Sequence, residues 1–228
     1  MGHKKLRESE RVFVAEGPKL INELLGSGNV KPVAIYAVDA FADKHPQLQQ
    51  LVGISNAELE RISALSTPNE ALGIFNQPVF EEPSFANGIT LMLDGIQDPG
   101  NLGSIIRSAD WFGVRTIICS NDCADNFNSK VVQSTMGSIA RVQLVYTDLH
   151  EFIDSSFLPS LYAATLNGQN VFEMEPVKEG VLIIGNESKG IHEELIKKAH
   201  HHITIPRKGK AESLNAGVAA GVLLSHLI

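Results

Sequence analysis

The chain has 228 residues, 43% of them hydrophobic and 20% charged, and these values exclude a disordered or collagen-like protein. The length exceeds the usual single-domain size, so we expect two domains of unequal size. No run of about 20 apolar residues is present, which argues against a membrane span and favours a cytoplasmic protein. Cys119 and Cys123 are too few for a disulfide scaffold and form a poor zinc signal, so we expect reduced structural thiols.

The charge is unevenly distributed along the chain. A net charge of −7 argues against a protein that coats nucleic acid without discrimination. Residues 197–210 (KKAHHHITIPRKGK) nevertheless hold five Lys or Arg and no carboxylate, and a weaker basic cluster lies within 3–19. Lys208 and Lys210 are candidates for phosphate contacts, the alternative being solvated surface charges. The distribution is compatible with an RNA substrate.

Residues 1–78 are predicted to form a small α/β domain. Short buried strands are expected at 11–14 and 33–38, and the apolar spacing of PKLINELLGSG between them predicts a helix. A second helix is expected at 57–65, followed by a strand at 71–75. Helices and strands thus alternate up to the end of this part.

Residues 79–88 contain a proline, clustered acids and no periodicity, which is typical of a linker. The part that follows, 89–228, is predicted to be a second α/β domain. Its apolar strands are continuous rather than alternating, which indicates a parallel sheet buried on both faces. Ligands of such sheets bind at the carboxyl ends of the strands. The predicted strands are 89–93, 115–119, 141–145, 161–165, 181–184 and 203–205.

The first strand-end motif lies within LDGIQDPGNLGSIIRSADWFGV at 93–114. Asp98–Pro99–Gly100 predicts a tight turn, and Asn101 is suited to cap a helix over 102–112. Gly113 would end this helix in the left-handed conformation.

Arg107 is the first cation of that helix. Gly103, Arg107 and Trp111 are spaced by four and share one side, so the small glycine leaves room beneath the guanidinium. Arg107 would then overlook the crevice at the strand ends. The alternative is an arginine that only pairs with Asp110. Trp111 could stack on a base, although packing at a subunit interface is favoured.

The second motif is LIIGNESKGI at 182–191. A buried strand runs directly into small residues that let a ligand approach the backbone, while Asn186 and Glu187 offer polar groups at the same edge. The segment matches neither GxxxxGK[ST] nor GxGxxG, so a nucleotide-phosphate loop is disfavoured.

The third motif is ITIPRKGKAESLNAGVAAGVLLSHLI at 203–228. A strand and a basic loop lead into a helix expected to begin near Ser213, either as its N-cap or as part of a site, with Asn215 in the first turn. Gly217 and Gly221 in its interior each cost about 1 kcal/mol relative to alanine. Such small residues predict close packing against another element or a partner subunit.

Together the three motifs resemble the SpoU/TrmH-type RNA ribose 2′-O-methyltransferases, a branch of the SPOUT superfamily. The resemblance covers essentially the whole chain and rests on N-x-G-x-x-x-R at 101–107, G-N-E at 185–187 and IPR…SLN at 205–215. The amino-terminal FVAEGPKLINELL and the later TPNEALGIF resemble the small L30e-like RNA substrate-binding domain that precedes the catalytic domain in many members.

The resemblance implies a carboxy-terminal α/β knot, in which a mostly parallel sheet flanked by helices forms a deep trefoil knot. The residues alone favour a Rossmann-like sheet, because knots are nearly absent from proteins. The resemblance also implies S-adenosyl-L-methionine, held in the knot mostly by backbone groups of three loops. The implied cofactor-binding residues are Thr165, Leu166, Asn167, Gly185, Asn186, Ile205 and Leu214.

The implied reaction transfers the methyl group to a ribose 2′-hydroxyl of RNA and needs no metal. In the family the counterpart of Arg107 is proposed to activate the hydroxyl with the RNA phosphate. An arginine side chain stays protonated and is therefore a poor base, so we expect Arg107 to orient the ribose and its phosphate. The implied catalytic residues are Arg107, Asn101, Glu187, Ser213 and Asn215.

The resemblance implies a homodimer through the knot region and the last helix, and it favours ribosomal over transfer RNA as the substrate. Two alternatives remain: an RNA-binding or ribosome-assembly protein that lacks the reaction, and a Rossmann oxidoreductase, which the absence of GxGxxG disfavours. Metal binding by His200–His202 is also disfavoured, because consecutive side chains point in different directions.

Overall fold

A computed structural model describes residues 4–228. The helices, in chain order, are α1 (Lys4–Glu10), α2 (Pro18–Ser27), α3 (Asp39–Ala42), α4 (Asn56–Ile62), α5 (Pro99–Trp111), α6 (Ser129–Thr135), α7 (Leu149–Ser155), α8 (Glu193–Lys198) and α9 (Ala216–Leu227). The strands are β1 (Val12–Glu16), β2 (Pro32–Ala37), β3 (Leu51–Gly53), β4 (Ala71–Asn76), β5 (Ile89–Asp94), β6 (Thr116–Ser120), β7 (Gln143–Thr147), β8 (Leu161–Asn170), β9 (Gly180–Gly185) and β10 (His201–Thr204). Short 3-10 helices cover Ser138–Ala140 and Val171–Glu173.

The chain divides into two compact units. The first runs to Val79 and includes Asp125–Arg141, whereas the second comprises Phe80–Ala124 and Val142–Ile228. The domain division predicted from the sequence, with a linker at 79–88, stays a prediction. The structure adds that Asp125–Arg141, which the sequence placed in the second domain, packs within the first unit.

The first unit is a four-stranded sheet in the order β1-β4-β2-β3. β4 pairs antiparallel with β1 and β2, and β3 pairs parallel with β2. The strands predicted at 11–14, 33–38 and 71–75 are present within two residues of the expected bounds. The sequence missed α3 and β3, because they are too short to show a period, and α1, because its only apolar residue is Leu6.

Aromatic packing explains why Asp125–Arg141 belongs to the first unit. The ring of Phe13 in β1 stacks on Phe75 at 5.8 Å between centroids and on Phe127 at 5.4 Å. Arg7, which is buried, donates to Asp125 at 2.5 Å. The inserted segment therefore contributes both an aromatic ring and a carboxylate to this unit.

The second unit is a six-stranded sheet in the order β10-β8-β9-β5-β6-β7, and every neighbouring pair is parallel. All residues of β5 are buried, as are the first five of β9, which confirms the parallel sheet predicted from continuous apolar strands. α7 and α8 pack together over one apolar cluster that includes Met92, Ile183 and Leu195. α5 packs against α9.

The α/β class with a mostly parallel sheet is confirmed. β10, the last strand in sequence, is an edge strand, and it pairs with β8 rather than with its sequence neighbour β9. The threading of the chain through a loop is not described by these pairings, so the knot stays part of the prediction.

Two absences hold for residues 4–228. None of their helices is both long and apolar enough to cross a lipid bilayer. Nor do three or more His, Cys, Asp or Glu side chains converge there as ligands for a metal ion.

Candidate active site

The three sequence motifs follow the carboxyl ends of parallel strands of the second unit. β5 and β9 are neighbours, and Asp94, which ends β5, lies opposite Gly185, which ends β9. The first motif leaves β5, and the second leaves β9. The third connects β10 to α9. The prediction that the three motifs lie at the carboxyl ends of strands is therefore confirmed.

α5 begins one turn earlier than predicted. Its N-cap is Asp98, whose carboxylate accepts a hydrogen bond from the Asn101 backbone N–H at 2.8 Å, and Pro99 occupies the first helical position. The prediction that Asn101 caps the helix is wrong. Because Asp98 performs that task, the side chain of Asn101 is available for other contacts. Gly113 follows the helix with φ +76°, as predicted.

Asn101 joins the three motifs through its side-chain amide. Its Nδ2 donates a short hydrogen bond to Oε1 of Glu187, from the second motif. Its Oδ1 accepts a 2.6 Å hydrogen bond from Nδ2 of Asn215, from the third motif. Residues separated by 86 and 114 positions in the chain thus meet at one side chain.

Asn215 has a second task. Its Oδ1 accepts from the Val218 backbone N–H at 3.2 Å, so Asn215 is the N-cap of α9. The expected helix start near Ser213 is wrong by about one turn, because the better cap lies two residues later. Ser213 and Leu214 lie upstream of the helix and are exposed.

The small residues of α9 allow it to approach α5 closely. A Cβ added at Gly217 would lie 3.0 Å from Cβ of Ser104, and one added at Gly221 would lie 3.7 Å from Oγ of Ser108. The prediction of close packing against another element is confirmed, and the partner is α5 of the same chain. This packing holds Asn215 beside Asn101.

The GNESKG turn folds back onto its own start. The backbone groups of Asn186 and Gly190 exchange two hydrogen bonds, at 3.1 and 2.8 Å. A side chain at Gly185 would overlap the backbone of Gly190 and Ile191, so position 185 requires glycine. Gly190 has φ +72°.

The side chain of Asn186 holds this turn in place. Its Oδ1 accepts from the backbone N–H groups of Ser188 and Lys189, at 2.9 and 3.2 Å. Its Nδ2 donates to the carbonyl of Gly95 at 2.8 Å, directly after β5. The first and second motifs are therefore connected twice, through Asn101 and through Asn186.

The comparisons with known proteins agree with this arrangement. Residues 88–225 match the SpoU rRNA Methylase family, and residues 1–73 match the MRM3-like substrate binding domain. The chain belongs to the SpoU rRNA methylase family.

Similar proteins support this membership over nearly the whole chain. The 23S rRNA (guanosine(2553)-2′-O)-methyltransferase RlmP of Bacillus subtilis is 31% identical over 228 residues, which covers 98% of this chain and 91% of that protein. A TrmH-family protein described as a putative RNA methyltransferase, from Porphyromonas gingivalis, superposes with a TM-score of 0.82 at 32% identity, covering 99% of this chain and 92% of that one. An AdoMet-bound rRNA methyltransferase from Sinorhizobium meliloti gives 0.83 at 30% identity, with coverage of 99% and 90%.

In this SpoU-family chain, the segment around Thr165, Leu166 and Asn167 lies inside a strand, not after it. β8 pairs with β10 up to Ala163 and again from Gln169, and the five residues between them have no partner in the β10 ladder. The loop predicted after 161–165 is therefore an excursion from β8. Within it Thr165 Oγ1 donates to the Asn167 carbonyl at 3.0 Å.

Gly168 closes this excursion. A Cβ at position 168 would lie 2.6 Å from C and O of His202 and 2.8 Å from N of Ile203. The excursion therefore ends in contact with the backbone of β10, between His202 and Ile203, where the pairing register of β8 and β10 shifts. Thr204 Oγ1 donates to the carbonyl of Leu166 at 3.3 Å, and Ile205 follows directly after β10.

Arg107 is exposed on α5 and forms no hydrogen bond or ion pair within residues 4–228. The alternative of an Arg107 that merely pairs with Asp110 is therefore absent from the described structure. Arg107 lies six residues after Asn101, about 9 Å along the helix axis. Its guanidinium remains available to a substrate.

Sequence reasoning missed a buried carboxylate beside the second motif. Asp94 is 3% exposed and accepts hydrogen bonds from the His192 backbone N–H at 2.7 Å and from its ring Nδ1 at 2.8 Å. This pair fixes the end of the GNESKG segment to the end of β5. The sequence shows an aspartate directly after the apolar run ITLML, which could have indicated a carboxylate at a strand end. It does not show that His192 is the partner of this aspartate.

The two cysteines lie beneath the first motif, and both are buried and free of a disulfide. Cys123 Sγ accepts from the Ile96 backbone N–H at 3.3 Å. A hydrogen bond from the Cys119 thiol lowers the pKa of Cys123 to about 7, against the effect of burial. The same hydrogen bond, together with burial, raises the pKa of Cys119 above its ordinary value.

The three consecutive histidines have three different surroundings. His200 Nδ1 accepts from the Leu161 N–H at 2.9 Å, and His202 Nε2 contacts the Ile196 carbonyl at 3.1 Å. The ring of His201 stacks on Tyr162 at 4.7 Å. Their contacts point to structural roles rather than to a shared ligand.

Proposed function

We propose that this protein transfers a methyl group from S-adenosyl-L-methionine to a ribose 2′-hydroxyl of RNA. The observation that carries the proposal is the junction at Asn101, where residues of all three motifs meet beside strand ends. Ligand sites carry a few polar groups that converge from different elements, and this junction supplies such groups.

The residues present fit this cofactor. The backbone groups of the β8 excursion are outside the ladder between β8 and β10, and Gly185 adds no side chain. Exposed Leu166 and Leu214 offer apolar surface for an adenine ring. The cofactor-binding residues we propose are Thr165, Leu166, Asn167, Gly185, Asn186, Ile205 and Leu214.

When bound, S-adenosyl-L-methionine supplies a methyl group on a sulfonium that becomes a neutral thioether after transfer. Arg107 orients the ribose and its adjacent phosphate through the guanidinium fork. Asn101 has two amide hydrogens, one of which goes to Glu187, so the other is available to a ribose hydroxyl. Positioning the attacking oxygen in line with the methyl–sulfur bond supplies much of the rate.

Ribosomal RNA is the substrate class we favour. The family is named for rRNA methylation, and RlmP, the Bacillus subtilis relative, acts on 23S rRNA by its name. Other relatives carry the description tRNA/rRNA methyltransferase, so transfer RNA is the second candidate. Lys208 and Lys210 are exposed in the loop before the third motif and are suited to RNA phosphates.

Tritium transfer from labelled S-adenosyl-L-methionine tests the reaction. The substrates are unmodified ribosomal and transfer RNA, and the variants are Arg107→Ala and, as a matched control, Arg115→Ala, an exposed arginine just before β6. We expect transfer to ribosomal RNA, a loss of at least 100-fold for Arg107→Ala and wild-type activity for the control. RNA binding without transfer would instead support a binding protein.

We also propose a homodimer. Trp111 on α5 and Val218 on α9 are 84% and 52% exposed, and these helices pack together, so their outer surface offers apolar area to a second copy. Light scattering after size exclusion should give twice the mass of the chain. Trp111→Asp should give a monomer, whereas Phe157→Asp, at a fully exposed position of the same unit, should not. A monomeric wild-type protein at micromolar concentration contradicts the proposal.

A further inference from the structure

We infer that the first unit carries a pocket for one unstacked nucleobase of the RNA, formed by the end of β1, the segment after α4 and one face of α6. This inference rests on the proposed function, because it takes RNA as the substrate. The pocket lies within the first unit, and neither the motifs nor the proposed reaction uses it.

The size of the pocket sets the size of its ligand. Its volume is about 310 Å³. Small-molecule pockets span about 300–1,000 Å³, so this one lies at the lower end and suits a single base or nucleoside rather than a dinucleotide.

The walls combine an apolar surface with polar groups. Val14 and Leu65 line the pocket with aliphatic side chains, against which a planar base can pack. Gln133 and Lys130 lie three residues apart and therefore on one face of α6, and Ser66 adds a hydroxyl from the segment after α4. The amide of Gln133 can both donate to and accept from a base edge, while Lys130 is suited to a neighbouring phosphate.

A buried carboxylate fixes one wall and adds an acceptor. Glu16 lines the pocket and is 5% exposed. Its two oxygens accept from the Ser63 hydroxyl and, at 3.0 Å, from the Ala64 backbone N–H, which holds the 63–66 segment against the end of β1. A carboxylate has about four lone-pair sites, so two remain for N–H donors of a ligand.

This donor requirement selects among bases. Guanine, adenine and cytosine each present an amino group, whereas the N3–H donor of uracil lies between two carbonyl oxygens. Those carbonyl oxygens would face the Glu16 carboxylate with no hydrogen between them, so a base with an amino group is preferred over uracil. RNA bases that are unstacked in loops present these edges to side chains.

The first experiment needs no enzymatic activity. Amide spectra of the 15N-labelled full chain are recorded with GMP, AMP, CMP, UMP and ribose 5-phosphate. We expect saturable shifts at residues 14–16, 64–66 and 129–134 with the first three, at least 5-fold weaker binding of UMP, and no such shifts with ribose 5-phosphate. Equal shifts with ribose 5-phosphate would show a phosphate site and overturn the proposal, as would shifts elsewhere.

Variants then connect the pocket to RNA. Ser66→Trp fills the cavity, and Gln133→Ala removes the amide, while Gln49→Ala, an exposed glutamine of the same unit, is the matched control. We expect the first two to abolish the nucleotide shifts and to raise the KM for RNA about 10-fold at unchanged kcat. A wild-type KM in both variants would overturn the inference.

Failure of the proposed function gives a different result. If the wild-type protein binds no S-adenosylhomocysteine in calorimetry and transfers no methyl group, the proposed reaction fails regardless of the nucleotide shifts. If cofactor binding and transfer are normal but no nucleotide shifts occur, only the pocket fails.

Discussion

Replacing Gly168 by alanine is the most direct test of the proposed cofactor site. The new Cβ would lie 2.6 Å from C and O of His202 and 2.8 Å from N of Ile203, all of them backbone atoms that no rotamer change can move. Carbon atoms pack at about 3.5–4.0 Å, so the excursion of β8 and the backbone of β10 must separate by roughly 0.9 Å. Position 168 directly follows the proposed cofactor segment 165–167.

The size of the effect follows from this displacement. Overpacking of this kind costs about 1–3 kcal/mol of unfolding free energy. For a chain of this length, each kcal/mol lowers Tm by about 2–4 °C, so we expect a decrease of about 2–12 °C. A displacement of about 1 Å in a binding segment can cost about 100-fold, and we expect 10- to 100-fold weaker binding of S-adenosylhomocysteine.

Circular dichroism melting and calorimetric titration with S-adenosylhomocysteine measure the two effects. Gly53→Ala is the control, because a Cβ there meets nothing within 4 Å and the residue lies in the other unit. Wild-type affinity in a Gly168→Ala protein with lowered Tm would place the cofactor away from the β8 excursion. Unchanged Tm would refute the packing argument itself.

Three further substitutions test the rest of the site. Asn101→Ala should lower the free energy of unfolding in urea by only about 0.5–1.5 kcal/mol, because the site is partly exposed, yet it should lower methyl transfer about 100-fold. The control Asn121→Ala, at an exposed position, should change neither quantity. Equal transfer by the two variants would contradict a role of the Asn101 junction in the reaction. Asp94→Ala should lower the free energy of unfolding by about 2–3 kcal/mol, because the buried carboxylate accepts from both the backbone N–H and the ring of His192. His192→Ser keeps the backbone hydrogen bond and should cost only about 1 kcal/mol. Similar melting curves for the two variants would contradict this difference. Because the pKa of the Cys123 thiol is lowered from its ordinary value of 9.0 to about 7, the folded state gains stability as pH rises from 7 to 9 and loses it as pH falls through 7. The raised pKa of Cys119 acts oppositely above pH 9, so urea unfolding should show a maximum near pH 9 that Cys123→Ser removes.

The sequence predicted the sheet of the second unit well because its strands are buried on both faces. Continuous apolar runs such as ITLML are typical of such strands, and the predicted bounds were correct within about two residues except for β8, which continues five residues beyond the predicted 161–165. The insertion at Asp125–Arg141 could not be predicted. Its packing depends on Phe13 and Arg7, which lie more than 100 residues away in the chain. Contacts between residues so far apart do not produce a periodic pattern in the local sequence.

The helix caps show where local rules fail at a site. Two residues near the start of α5, Asp98 and Asn101, are both good caps, and propensity alone does not choose between them. The structure assigns the cap to Asp98, three residues earlier, which extends α5 by one turn. The choice follows from Asn101 having a better partner in Glu187, which only the folded chain provides.

The same reasoning connects local structure to the proposed chemistry. Asn215 caps α9 with its oxygen and holds Asn101 with its nitrogen, so the helix start and the junction are formed by one side chain. Gly217, two residues later, lets α9 approach Ser104 of α5, which brings the two asparagines within hydrogen-bond distance. A larger residue at 217 would separate the helices and break the junction while leaving every polar residue of the motifs in place. The glycines of α9, which cost helix stability, are therefore part of what assembles the site.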